Sequence, residues 1–382
     1  MKNLTVGTAA ALAAAGLVLA PAVSASAAPS HADLRAGAVF VQLNDGAANS
    51  IAAFARAADG SLTEVGTFPT GGRGGKQLGA PVDALASQGS LASAAGGSVL
   101  VAVNAGSDTV SSLRVGDDDV STTSVVASRG DFPSSVAVHG SLVYVLNAGG
   151  TGSVSGYRLD DERLTPIIGA VRSLGLSNAP VPAFLTAPAQ VGISPDGRTL
   201  VVTTKANNTI VTFPLHGDGT LGDAVVSSSQ GPVPFSFVFD RTGNLEVQQA
   251  GDGRTASYAI GGDSTLTPLG VSAPSGGKAL CWSVRVGSFI YGANAGSASL
   301  TSWRIANDGT TTVTQPVAAT TSPAVIDLAA SRGGRYVYAL SAVTGTVGVF
   351  APDGAGGLTA LGTVGGLPHI DADGGPEGIV AS

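Results

Sequence analysis

Apolar and polar positions follow one phrase along this chain. A short apolar run meets a Gly- or Asp-rich turn, a second run ends on a polar residue, and a Gly/Ser/Asn turn leads into a third. The clearest copies are V-L-V-A-V-N-A-G-S-D-T-V, Val99 to Val110, and F-I-Y-G-A-N-A-G-S-A-S-L, Phe289 to Leu300. The polar end of the second run falls at Asn44, Asn104, Asn147, Thr204, Gln249, Asn294 and Ser341, at spacings of 60, 43, 57, 45, 45 and 47 residues. Runs this short between turn residues read as strands, and the many glycines (55) and the lack of helical periodicity beyond the N-terminal stretch agree. A period near 45 with three or four strands per unit predicts an all-β fold, a seven-bladed β-propeller with one blade per repeat.

In the fourth unit the reading is strand Val191 to Ser194, turn Pro195-Asp196-Gly197-Arg198, strand Thr199 to Thr204 and strand Ile210 to Leu215. Proline sets φ and glycine takes positive φ, so this hairpin is specified locally. The chain ends on Gly378-Ile379-Val380-Ala381-Ser382, a first strand with no second after it. It begins on 37–44, a second strand with no first before it. Pairing Ile379–Ala381 with Val39–Leu43 would complete the seventh blade and hide both strand edges. Asparagine can bond its own turn and tolerates left-handed φ, so Asn104, Asn147 and Asn294 are expected to be structural.

Residues 1–27 read as a secretory signal peptide, with Lys2, an apolar stretch at 8–23 and a small-residue site at Ala25, Ser26 and Ala27. Pro21 and the alanine-rich composition argue against a retained anchor, and no later run is long enough to span a bilayer. The expectation is a secreted, monomeric protein with one propeller domain at 28–382. Charge is sparse, 19 basic against 26 acidic residues, which excludes the basic surface that nucleic acid requires. The single cysteine, Cys281, excludes an internal disulfide, and between Leu280 and Trp282 it reads as core rather than nucleophile.

The first and fourth strands of neighbouring blades connect on the same face as the second and third strands of one blade. The long insertions, Pro69 to Pro81, Pro166 to Gln190 and Gly365 to Glu377, therefore share one mouth of the ring with the polar markers. That mouth collects Arg73, Lys76 and Gln77, then Asn178, Lys205, and finally His369, Asp371, Asp373 and Glu377. Cations opposite carboxylates suit a small polar ligand such as a sugar acid or lactone; solvated loop charges are the plainer alternative. Asp371 and Asp373 sit as in a calcium turn, but the other ligands of such a loop are missing, so neither a metal nor a cofactor is expected.

The S-P-D-G-R hairpin, the V-x-N-A-G-S turns and the D-G-x-L strand starts resemble the seven-bladed lactonase propellers, the 6-phosphogluconolactonases and carboxymuconate cycloisomerases, from about Ala36 to Ser382. The resemblance implies a P-H-x-H phrase before the S-P-D-G hairpin and a G-P-R-H phrase opening the next blade. Here the first reads Thr186-Ala187-Pro188-Ala189-Gln190 and the second Val233-Pro234-Phe235-Ser236. Lactone opening needs a base or activated water and donors for the oxyanion, which Phe235 and Ser236 do not supply. The catalytic residues are thus unknown. Two readings stand: a binding or interaction scaffold, with a small ligand or a protein as partner, and a lactone hydrolase or cycloisomerase working through the mouth charges.

Overall fold

Each repeat unit forms one four-stranded antiparallel sheet, and the described residues contain seven such sheets. The computed structural model describes Met1 and residues 33–382; the expected signal peptide lies, Met1 apart, outside the described residues. Blade 4 has the strands Pro188–Ile193, Thr199–Thr204, Thr209–Pro214 and Val225–Ser228, in that order from inside to outside. The innermost strands of blades 1 to 7 are Glu377–Ala381, Leu91–Ala94, Pro133–His139, Pro188–Ile193, Pro234–Phe239, Leu280–Val286 and Val325–Ala330. They touch one another in cyclic order, which makes the seven sheets a ring around an axis. Among the described residues no helix is long and apolar enough to cross a membrane.

The ring closes where the orphan runs predict. Glu377–Ala381 pairs with Ala38–Gln42, with Val39 opposite Ala381, Phe40 opposite Val380 and Val41 opposite Ile379. Blade 1 thus takes its inner strand from the C-terminus and its three outer strands from the N-terminal part of the ring, and neither edge is left open.

Burial follows position in the blade. Second strands such as Val99–Asn104 and Thr199–Thr204 are buried at every residue, because neighbouring blades cover both of their faces. That is why they read as continuous Val/Leu/Thr runs rather than alternating ones. The outermost strands are largely exposed. Between third and fourth strands a recurring Asp–x–Ser/Thr turn closes on itself: Asp59, Asp218, Asp263 and Asp308 each accept from the backbone N–H and the hydroxyl two residues on.

Six of the seven polar markers end second strands; the seventh, Asn44, follows its strand by two residues, at φ +49°. Asn104, Asn147 and Asn294 are buried and bonded. Their backbones differ from expectation at Asn104 (φ −124°) and Asn294 (φ −99°), which are not left-handed. The left-handed position lies four residues later, at Asp108 and Ala298, where the turn reverses into the third strand. Each side chain instead reaches under the incoming loop. Asn294 Nδ2 donates to Thr301 Oγ1 at 2.9 Å, and its Oδ1 accepts from Ser275 at 3.2 Å. A glycine lets the loop pass over the amide: a Cβ on Gly277 would lie 2.3 Å from Asn294 Cγ, and one on Gly72 equally close to Asn104 Cγ.

Candidate functional site

Six of the seven innermost strands shift register near their N-terminal end, at Ser134, Ala189, Phe235–Ser236, Cys281, Asp327 and Gly378. An extra residue at a bulge bends the strand and re-aims its side chain. The bulges gather around the axis, so the residues there set the chemistry of the ring's centre.

A segment from the loop between blades 1 and 2, residues 77–90, fills that centre. Ser87 Oγ donates to Ser134 O (2.7 Å), Gln88 N to Ala189 O (3.0 Å) and Trp282 Nε1 to Ser87 O (2.9 Å). The Gln88 amide exchanges two bonds with the Ser283 backbone, at 3.0 and 2.8 Å. The segment is a plug fastened to the inner strands of blades 3, 4 and 6. Gly378, at φ +64°, admits it: a Cβ there would meet Ser90 Oγ at 2.3 Å.

Four ionisable groups are buried around this plug. Asp83 accepts from its own turn, from Ala86 N at 2.6 Å and Ser87 N at 3.1 Å, and is hydrogen-bonded to Glu377. Glu377 accepts from Leu85 N at 3.0 Å. Two carboxyl groups can bond each other only by sharing a proton. Asp83 has the backbone donors and the attraction of Lys205, so the proton belongs to Glu377, whose acidity burial and the facing Asp83 reduce well below that of an ordinary carboxyl. Asp327 accepts from the backbone of Leu328, Gly89 and Ile379, and burial still pushes it up to about 7. Lys205 Nζ donates to Ala86 O at 2.6 Å and lies 5.2 Å from the centre of the Phe235 ring. Burial lowers it to about 8, against the opposing pull of Asp83.

Beside these groups the mouth opens into a cavity of about 230 Å³. Val82 and Ala86 of the plug, Phe184 and Leu185 of the loop before blade 4, Val233 and Phe235 of blade 5, and Cys281 and Trp282 of blade 6 form most of its wall. Phe235 meets Trp282 edge to face at 5.2 Å. Asp83 and Lys205 are the charged side chains in the wall, each 3% exposed. Cys281 is partly exposed there, and its apolar surroundings push the thiol up to about 12, so it stays protonated and poorly nucleophilic at neutral pH.

Of the residues singled out from sequence, Lys205 and Glu377 come together at this centre. The others lie around it. Arg73 donates to Gly106 O at 2.9 Å, Asn178 to Ala148 O at 3.0 Å, and Lys76 to the backbone carbonyl of Asp371. Gln77 is buried and donates to Leu85 O inside the plug. His369 Nδ1 donates to Val343 O at 2.7 Å. Asp371 spends one oxygen on its own turn, accepting from Asp373 N and Gly374 N, and Asp373 is exposed. Sequence reasoning missed Asp83 and Asp327. The available signal was the apolar content of 81–86, Pro-Val-Asp-Ala-Leu-Ala, unusual for a solvated loop.

Comparison with known proteins agrees with this geometry. No curated protein sequence matches the chain. Solved structures share the fold. The periplasmic gluconolactonase of Pseudomonas aeruginosa is 21% identical with a TM-score of 0.68, the match covering 87% of this chain and 98% of that one. A candidate 6-phosphogluconolactonase of Bacteroides uniformis is 17% identical with a TM-score of 0.67, covering 91% and 99%. A Lactobacillus plantarum protein is 18% identical with a TM-score of 0.68, covering 91% and 99%. Residues 97–248 match the family described as lactonase, 7-bladed beta-propeller, and the seven-bladed ring agrees with that match.

Proposed function

We propose that this chain is an exported binding propeller whose axial mouth takes a small, mainly apolar ligand and does not open lactones. One observation carries the reading. The positions at which the resemblance implies histidines and an arginine are Ala187, Ala189, Phe235 and Ser236, and Phe235 is part of the wall of the mouth cavity, facing Trp282. Ala187 and Ala189 are fully buried, and Ser236 Oγ is paired with Ser283 Oγ at 2.9 Å. The charged groups nearby are spent on the plug: Asp83 and Glu377 on backbone N–H groups and on each other, Lys205 on a carbonyl. A pocket of apolar walls with a few placed polar atoms favours a compact, neutral ligand. The test pairs a hydrolysis assay on sugar and alkyl lactones with thermal shift. Stabilisation by alkyl lactones without turnover supports the reading, because a ligand bound only to the folded state raises its melting temperature.

A second reading, lactone hydrolase, is favoured by the proton that Asp83 and Glu377 share beside Lys205, since such a pair can act as general acid and base. Turnover that disappears in Asp83→Asn while the variant stays folded would select it.

A further inference from the structure

We propose that Lys205 is a covalent attachment site, its Nζ forming an imine with a small, mainly apolar aldehyde seated in the mouth cavity. This rests on the reading that the cavity binds compact apolar ligands, and adds a reaction to it.

Position comes first. Lys205 follows the second strand of blade 4, and its side chain is enclosed by the ring yet forms part of the cavity wall. Among the described residues the ion pairs are Arg35–Asp117 and Arg254–Asp252, so no salt bridge holds the Lys205 ammonium. Its hydrogen bond goes to one backbone carbonyl, that of Ala86, the face of Phe235 lies beside it, and Asp83 attracts it without forming a salt bridge. Desolvation favours the neutral amine, which is the nucleophile, and here it outweighs the attraction of Asp83. The lowering to about 8 agrees with that environment.

The chemistry closes with groups already present. The Nζ lone pair attacks the aldehyde carbon, the N–C bond forms, and the carbonyl oxygen takes up a proton. The resulting hydroxyl takes a second proton and leaves as water, and nitrogen gives up its protons as the C=N bond forms. The net reaction is amine plus aldehyde to imine plus water, with no oxidant or reductant. Asp83 is in the same wall and shares one proton with Glu377, so the pair can lend a proton to the leaving hydroxyl and recover it from nitrogen. Val82, Phe184, Leu185, Phe235 and Trp282 select an aromatic or aliphatic aldehyde over a sugar.

The experiment incubates the purified chain with benzaldehyde and sodium cyanoborohydride, which reduces an imine to a stable secondary amine, and maps benzylated residues by peptide mass spectrometry. The sequence has four lysines, Lys2, Lys76, Lys205 and Lys278, so the site is unambiguous. Labelling of Lys205 about tenfold faster than of Lys76 and Lys278 is expected, because Lys76 is only half-buried and Lys278 is exposed. It should be competed by benzyl alcohol, which fits the cavity but cannot condense. Replacing Lys205 itself frees the Ala86 carbonyl and can unseat the plug, so the companion variant is Ala250→Leu, which fills the cavity and leaves Lys205 and its bond intact. It should abolish the selective labelling. If benzyl alcohol raises the melting temperature while Lys205 labels no faster than Lys76, the covalent proposal is overturned and the cavity reading stands. If benzyl alcohol has no effect and Lys205 is not labelled, the cavity reading fails and the proposal falls with it.

Discussion

Glu377, on the C-terminal strand that closes the ring, hydrogen-bonds Asp83 at the base of the plug. With the proton on Glu377, the two variants differ. Glu377→Gln keeps a donor toward Asp83 and an acceptor for Leu85 N–H, so its melting temperature should stay near wild type. Asp83→Asn sets an amide against the Ala86 and Ser87 N–H groups and should cost about 2 kcal/mol, through buried donors left unpaired. Limited proteolysis should then cut within 77–90. Equal effects of the two changes would place the proton elsewhere.

Stability should fall as pH rises from about 5 to 8. Glu246 is pushed up to about 8 and Asp327 to about 7 by burial, and Glu377 is raised as well. The folded state therefore holds protons that the unfolded chain has released by about pH 5, and stability falls as pH rises through these values. Lys205 has the opposite sign. It is lowered from 10.5 to about 8, so the unfolded chain binds the extra proton between those values, which checks the fall above pH 8 until Cys281, raised from 9 to about 12, opposes it. Melting temperatures from pH 5 to 10 check this curve. Glu246→Gln, which removes one titration, should raise the melting temperature at pH 8 and leave it nearly unchanged at pH 5.

The buried asparagines and their covering glycines should behave as pairs. Asn294→Ala loses the bonds to Thr301 and Ser275 and should cost about 2 kcal/mol. Gly277→Ala should also destabilise, because its new methyl would meet the Asn294 amide. Shortening Asn294 makes room for that methyl, so the double variant should cost less than the sum of the two. Strict additivity in chemical denaturation would contradict the packing described.

Removing Gly378 to Ser382 deletes most of the inner strand of blade 1 and exposes the edge of Ala38–Gln42. The loss should be several kcal/mol and accompanied by self-association. A truncated chain that melts like the intact one would show that closure is not what holds the ring.

The blades are legible in the sequence because each depends on local signals: a second strand buried on both faces needs a continuous apolar run, and the Pro195-Asp196-Gly197 turn fixes its own hairpin. The joining of the ends is legible because strands lacking partners are visible in the repeat. The site is legible only in part. Lys205 and Glu377 stand out as charges at the mouth, but Asp83 acquires its role by threading the axis, and Asp327 by a bulge that redirects one residue of an ordinary-looking strand. Both depend on contacts between distant blades, which repeat spacing does not encode. The charges on the loops, Arg73, Lys76 and His369, satisfy neighbouring carbonyls, a fate that residue type alone does not reveal.

The central claim is that the mouth binds an apolar ligand and leaves lactones intact. Calorimetric titration with an alkyl δ-lactone and with a sugar δ-lactone, each recovered and analysed after incubation, tests it most directly. The account predicts saturable binding of the alkyl lactone, lost in Ala250→Leu, little binding of the sugar lactone, and recovery of both rings unopened beyond the buffer rate. Opening of the sugar lactone faster than in buffer would contradict it.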